Sequence, residues 1–264
     1  MEYQIYLINL SVVFSVICPS WAGLPPIMRS DMMYNIVGGS EVTANSLPHQ
    51  AALFIDETYF CGGSIISTRY ILTAAHCVYN SKTVEIILGA HKWKTNEKTQ
   101  KIFYSTTMII HEKYNGNYLE GNDIALVKTP SFITFTWAIQ SISLCDSGSG
   151  DYSGTTAIVA GWGYTSSNNI LSSVLRKAYV TMDKVSFCQQ YFENVTDSDL
   201  CSRGNDTLTG AVGACYGDSG GPLTRNNIQI GIVSYGAKQC EAGYPTVYTS
   251  VTYHRDWIRK YSGV

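Results

Sequence analysis

Three short stretches hold side chains that could act together on a substrate. "LTAAHC" places His76 beside Cys77, "GNDIALVK" places Asp123 ahead of an apolar run, and "ACYGDSGGPL" sets Ser219 among Gly217, Gly220, Gly221 and Pro222, with Asp218 directly before it. A serine hydroxyl is a weak nucleophile at neutral pH. It becomes a strong one when a base takes its proton and a third group orients that base. A histidine, a carboxylate at the head of an apolar strand and a serine stripped of bulky neighbours supply those three parts. Taken singly, each has a plainer explanation: histidines fill surfaces, Asn-Asp opens turns, and Gly-Asp-Ser-Gly makes a tight loop. The case rests on their occurring together.

Something must hold these segments in place. From Ile36 onward the chain is a series of short runs rich in Val, Ile, Tyr and Thr, including "QAALFI", "GSIIS", "YILTAA", "TVEIIL", "TTAIVAGW" and "IQIGIVSYG", punctuated by Gly, Asn and Ser. Their length and their β-branched and aromatic content predict strands. Only "YHRDWIRKY", residues 253–261, has helical spacing, with Tyr253, Trp257, Ile258 and Tyr261 near one face. No fixed-period repeat occurs. The expectation is an all-β domain closed by a short C-terminal helix. With 264 residues, 45% hydrophobic and only 14% charged, the chain has material for a large core and argues against disorder. A net charge of −2 gives no support for nucleic acid or an anionic membrane as partner.

The N-terminal run "IYLINLSVVFSVICPSWA" is apolar, short for a membrane span and interrupted by Pro19. Ser20 and Ala22 fit the small positions of a signal-peptidase site, so residues 1–22 are expected to be removed as a signal peptide and the protein secreted. Removal takes Cys18 with it and leaves seven cysteines: Cys61, Cys77, Cys145, Cys188, Cys201, Cys215 and Cys240. An oxidising compartment favours disulfides, and the odd count leaves one thiol over. No C-x-x-C pair suggests a zinc site.

The order His76, Asp123, Ser219, with the serine in Gly-Asp-Ser-Gly-Gly-Pro, resembles the chymotrypsin/trypsin family of serine proteases. "IVGG" at 36–39, "CGGSII" at 61–66, "GWG" at 161–163 and "SYG" at 234–236 extend the resemblance over nearly all of residues 36–264. It implies two antiparallel β-barrels of about six strands each with the site between them. It also implies His76 as general base, Asp123 as its orienting partner and Ser219 as nucleophile, with the N–H groups of Gly217 and Ser219 as oxyanion hole. Residues 23–35 become an activation propeptide. Cutting after Asn35 would free the α-ammonium of Ile36 to pair with Asp218. The implied disulfides are Cys61–Cys77, Cys188–Cys201 and Cys215–Cys240. A further bridge of many relatives would fall at Ala157 and Arg225, so both its halves are absent, and Cys145 is left over as a free thiol or an intermolecular link.

Two departures change the expectations. The family usually has Arg or Lys before the Ile; here Asn35 stands there, so an activating protease that accepts asparagine is implied. In "LGAHKWKTNEKTQK", where some relatives bind calcium, Ala90 and Lys92 occupy ligand positions, and an ammonium cannot ligate Ca²⁺. No metal and no cofactor is expected. The primary pocket implied by the resemblance has Gly213 at its base, Ser234, Tyr235 and Gly236 as walls and Thr246 deeper in. Without a carboxylate there, a buried Arg or Lys is penalised, and Phe, Tyr, Leu or Met is the expected residue before the cut. Glu241 is a stray carboxylate nearby, with a solvated loop as its simpler place.

"NVT" at Asn194 and "NDT" at Asn205 are N-glycosylation sequons. The expected partners are protein or peptide substrates and protein inhibitors, the enzyme being a monomer. With no accessory domain before "IVGG", digestion or venom use is favoured over narrow regulation. The rival from another class is a catalytically silent homologue acting as a binding module.

Overall fold

A computed structural model of the chain describes residues 36–148, 150–165, 170–206 and 210–264. The expected signal peptide and propeptide, including Asn35 and Cys18, lie outside the described residues, as does Thr207 of the second sequon. Thirteen strands carry the architecture. In the N-terminal half they are β1 (Gln50–Ile55), β2 (Tyr59–Ile65), β3 (Tyr70–Thr73), β4 (Val84–Leu88), β5 (Lys101–Ser105), β6 (Met108–Ile110) and β7 (Ala125–Lys128). In the C-terminal half they are β8 (Thr156–Gly161), β9 (Arg176–Asp183), β10 (Asp199–Ser202), β11 (Pro222–Arg225), β12 (Ile228–Gly236) and β13 (Thr246–Ser250).

The C-terminal strands pair in the order β8-β11-β12-β13-β10-β9, and β9 returns to β8, closing a six-stranded barrel. Burial follows the two-residue period of a strand with one wet face. Along β9, Ala178, Val180 and Met182 point inward while Tyr179 is exposed. The N-terminal strands pair in the order β5-β4-β1-β2-β3-β7-β6. Only Thr106 and Thr107 separate β5 from β6, so the two edges of this sheet meet along the chain itself. Ser105 Oγ donates to Lys128 O at 2.7 Å, and Lys128 N to Thr107 O at 3.0 Å, tying that seam. Seven strands stand here where six were expected, and this sheet makes a second half-barrel, its two edge strands following each other in the chain without pairing.

The two halves meet through hydrogen bonds between buried polar side chains and the backbone or each other. Gln50 Nε2 donates to Ala160 O at 3.1 Å, and Ser64 Oγ to Gln229 Oε1 at 2.6 Å. Gly62 must be glycine, since a Cβ there would fall 2.9 Å from the Cα of Gly221. The expected disulfides Cys61–Cys77, Cys188–Cys201 and Cys215–Cys240 are all formed. Ala157 lies one step beyond the cross-strand pair Ile158–Thr224, opposite Arg225, so the missing bridge is a paired loss within one ladder. Cys145 is buried and unpaired, with Sγ 3.1 Å from Thr252 Oγ1; burial argues against the intermolecular link.

Helix α2 (Arg255–Ser262) follows a one-turn helix α1 (Ala75–Val78) described below. Trp257 and Ile258 are buried as their spacing predicts, but Tyr253 is 62% exposed and precedes the helix. Its N–H is taken by Ser250 Oγ, which holds it in the turn before the helix starts. Trp257 Nε1 donates to Glu112 Oε2 at 2.8 Å, pinning α2 to the N-terminal half. Among the described residues no helix is long and apolar enough to cross a membrane.

His254, at the head of α2, is 2% exposed, with Nδ1 on Ser250 O and its ring edge-on to His111. Burial pushes its pKa down to about 4, nearby His111 adds to that, and Asp123 opposes it. The folded protein holds it neutral, whereas the unfolded chain takes up a proton near its ordinary value of 6.5. Stability present above pH 6.5 is therefore expected to be lost as pH falls from about 6.5 to about 4, by about 3 kcal/mol for this group. His49, also lowered to about 4 by burial, titrates in the same window. Urea unfolding at stepped pH checks this: His254→Phe should flatten part of the acid slope, and an unchanged slope would refute it.

Candidate active site

β3 delivers the chain into α1, whose Ala75, Cys77 and Val78 are buried, leaving His76 to face the cleft with its side chain 21% exposed. The Cys61–Cys77 bridge ties this turn to β2. Asp123 sits just before β7, after Asn122 at φ 55°, a left-handed turn that asparagine tolerates. Its carboxylate is 1% exposed. Oδ1 accepts from His76 N at 2.8 Å, and Oδ2 accepts from His76 Nδ1 at 2.7 Å and from Ser234 Oγ at 2.6 Å. Thr249 Oγ1 holds the Asp123 carbonyl at 2.9 Å. Burial alone would raise the Asp123 pKa, but the charge and hydrogen bonds of His76, with Ser234, bring it below the usual carboxylate value. Burial likewise works against a charged His76, and Asp123 overcomes it, so the His76 pKa is raised. With Asp123 ionised, Nδ1 must be the donor, and Nε2 keeps its lone pair for the cleft.

Ser219 lies at a knot of backbone bonds. Gly62 N donates to Ser219 O at 2.7 Å, Gly220 N to Val233 O at 2.8 Å, and Gly221 N to Asp218 O at 2.9 Å. Gly220 has φ 78°, and a Cβ there would strike Thr73 and the Gly62 carbonyl. Gly217 also has a left-handed φ, of 90°. Among the described residues neither Gly217 N nor Ser219 N donates to a protein acceptor, while Asp218 N between them donates to Cys215 O at 3.0 Å. His76 and Ser219 line two cavities in common, one of about 290 Å³ and one of about 560 Å³.

Asp218 is fully buried. Its oxygens accept from Gly163 N at 2.8 Å and Cys215 N at 3.0 Å, and no cation pairs with it among the described residues. Burial raises its pKa to about 7. A side chain at Gly161 or Gly163 would collide with this carboxylate, which explains the Gly-Trp-Gly motif. Ile36 is also fully buried, at φ 35°, an uncomfortable value for a β-branched residue. Val37 O accepts from Gly213 N at 3.1 Å, linking this segment to the loop before the serine.

Ser234, Tyr235, Gly236 and Thr246 line the 290 Å³ cavity with Ser219. Gly213 does not. It lines a space of about 10 Å³ behind, shared with Gly236 and Thr246. Thr246 borders both spaces, its Oγ1 3.1 Å from where a Cβ on Gly213 would sit. Glu241 lines neither cavity. Lys238, which sequence reasoning missed, stands exposed at the edge of the larger one. Also missed was Tyr118, whose ring meets His76 edge-on at 5.6 Å and Tyr235 at the same separation. In the loop expected to lack calcium, Glu97 Oε2 instead accepts from His91 N at 2.7 Å and Lys92 N at 3.1 Å. Asn194 and Asn205 are exposed.

Sequence comparison agrees with this geometry. The family model described as Trypsin matches residues 36–258. The chain belongs to the trypsin family. Brachyurin of Leptuca pugilator is 45% identical over 87% of this chain and 99% of the relative. Chymotrypsin of Phaedon cochleariae is 36% identical over 88% of this chain and 84% of the relative. Trypsin 5G1 of Aedes aegypti is 33% identical over 87% and 85%. As a trypsin-family member with these relatives, the protein is a serine endopeptidase.

Proposed function

We propose that this trypsin-family enzyme is a secreted, chymotrypsin-like endopeptidase made as a zymogen, and that it cuts through an acyl-enzyme on Ser219. The observation that carries the reading is the Asp123 carboxylate, buried at 1% exposure and holding His76 by both its backbone N–H and Nδ1. A ring fixed in this way offers Nε2 as base. His76 takes the Ser219 proton as Oγ attacks the carbonyl carbon, and the N–H groups of Gly217 and Ser219 receive the oxyanion. His76 then gives the proton to the leaving amine. Water, deprotonated by His76, frees the acyl group. One oxyanion donor is worth about 2.7–4 kcal/mol in such sites.

The 290 Å³ cavity takes the residue before the cut. Among its described lining residues there is no carboxylate, and Lys238 adds a positive charge. A cationic side chain would enter without a counter-charge. Gly236 leaves the mouth open and Thr246 shortens the far end, which suits Phe, Tyr, Leu or Met. Activation is read at Ile36 and Asp218. In this reading the cut after Asn35 comes first, and Ile36, buried in the structure, is the residue whose new α-ammonium is held inside. Cleavage also frees Ile36 from its φ restraint and provides the cation that Asp218 lacks. Residues 1–22 are then a signal peptide, 23–35 the propeptide and 36–264 the catalytic domain. Its partners are protein or peptide substrates, an activating protease that cuts after Asn35 and protein inhibitors. Glycans on Asn194 and Asn205 fit their exposure.

The rival, a silent binding homologue, is opposed by the intact His76–Asp123 bond. One experiment separates them. Processed protein is labelled with a serine-directed fluorophosphonate and then offered matched peptides with Phe, Leu, Ala or Arg before the cut. Labelling at Ser219 and preference for Phe or Leu are expected. Absence of labelling would support the silent homologue, and preference for Arg would mean that a carboxylate reaches the pocket.

A further inference from the structure

The larger cavity at Ser219 is about 560 Å³, roughly twice the space assigned to the residue before the cut, and is lined by the Cys61–Cys77 bridge, which the smaller one does not touch. Its walls are aromatic. Phe54 and Phe60 are cross-strand partners on β1 and β2, so their side chains share one face. Trp93, from the loop between β4 and β5, packs on both, 4.7 Å from Phe60 and 6.0 Å from Phe54 by ring centres. Its Nε1 donates to Ser172 O at 2.9 Å, which fixes the plane of the indole. Tyr164 and Tyr216, 5.9 Å apart, line the same cavity. Asp56 is the only charged side chain among the described lining residues. It is committed to backbone N–H groups of Lys82 and Thr83 at 3.0 and 2.8 Å.

The main chain beside this cavity is also open. β2 pairs with β1 from Tyr59 to Ser64, but its other edge meets β3 only at Ser64 and Ile65. The free edge at Tyr59–Cys61 runs from Gly62, whose N–H is bonded to Ser219 O, into the aromatic walls. An extended peptide can add to such an edge as a further strand, its side chains filling the pockets alongside.

We propose that this cleft is a subsite for a large aromatic side chain within the first three residues after the scissile bond, with Trp93 and Phe54 setting the preference. The inference rests on Ser219 being the nucleophile and on the smaller cavity holding the acyl side. Burying an aromatic ring against preformed aromatic walls, against burying none, is expected to favour such substrates about tenfold or more in kcat/KM. Acidic side chains are disfavoured, since Asp56 is the charge they would meet.

The test uses peptides with Phe fixed before the cut and with Trp, Phe, Leu, Gly or Glu at each of the three following positions. Enzyme is counted by fluorophosphonate titration, and a simple Phe ester with no peptide after the bond is run in parallel. The expected result is a Trp- or Phe-to-Gly ratio of about ten or more at one position. In Trp93→Ala or Phe54→Ala, per titrated site, it should fall to about three or less. The titration removes the effect of poorly folded protein, and two variants guard against one failing to fold. A ratio near one at all three positions, or a ratio unchanged in both variants, overturns the proposal. Loss of ester turnover in the unaltered enzyme would instead sink the catalytic reading beneath it.

Discussion

Ser219→Ala is expected to lower peptide turnover by on the order of 10⁶-fold while the protein still folds and still binds substrate. The hydroxyl is the protein's nucleophile in the proposed scheme, and Ser219's structural work is done by its backbone, whose carbonyl accepts from Gly62 N at 2.7 Å. Alanine keeps that bond. Asp123→Asn should cost less, about 10⁴-fold, the magnitude established for the Ser-His-Asp template of this same family. Its amide would force His76 Nδ1 to accept, placing the proton on Nε2, where the base is needed. The check is active-site-titrated turnover of a Phe peptide by each variant, with unfolding curves to confirm the fold. Substantial activity in Ser219→Ala, free of contaminating protease, would end the mechanism.

The second large effect concerns activation. A precursor beginning at Gly23 is expected to remain inactive after trypsin treatment, even when Arg29 is cut, and to become active when an asparaginyl endopeptidase cuts after Asn35. The physical reason is the Asp218 carboxylate, fully buried and, among the described residues, with two N–H donors and no cation. Its pKa, raised to about 7 by burial, marks an ionised form that lacks compensation. An α-ammonium on Ile36 would supply it. Six extra residues beginning at Ser30 would leave that charge misplaced, at a cost of about 3–5 kcal/mol for a broken buried pair. That is enough to loosen the loop presenting Gly217 and Ser219. N-terminal sequencing beside an activity assay decides the matter: full activity from a species starting at Ser30 would refute the Ile36–Asp218 switch.

The candidate catalytic side chains were legible because three segments, each with a plainer explanation alone, occur together and in one order. Glycines around Ser219 make room for close backbone approach, a carboxylate precedes an apolar strand, and a cysteine stands beside the histidine. Strand content was legible for the same kind of reason, since β-branched runs of a few residues have few other places to go. Tyr118 carried no such mark. It is one of 19 tyrosines, and its ring reaches His76 only because of where the loop before Asp123 runs.

The sequence by itself determined the strand-rich chain with its closing helix and pointed to the candidate triad; through the family resemblance it also gave the three disulfide partners. These depend on residue type within a few neighbours. Tertiary structure decided what depends on register and loop path. Ser234, expected only as a pocket wall, also donates to Asp123, because β12 brings its hydroxyl beneath the carboxylate. Gly213, expected at the pocket base, lines the small space behind the cavity, and Thr246 of β13 borders both. Cys145 is buried against Thr252, 107 residues away, where no spacing rule points. The grouping of Phe54, Phe60 and Trp93 likewise follows from strand pairing and one loop, because a contact between distant segments is fixed by the folded backbone and leaves no local pattern in the chain.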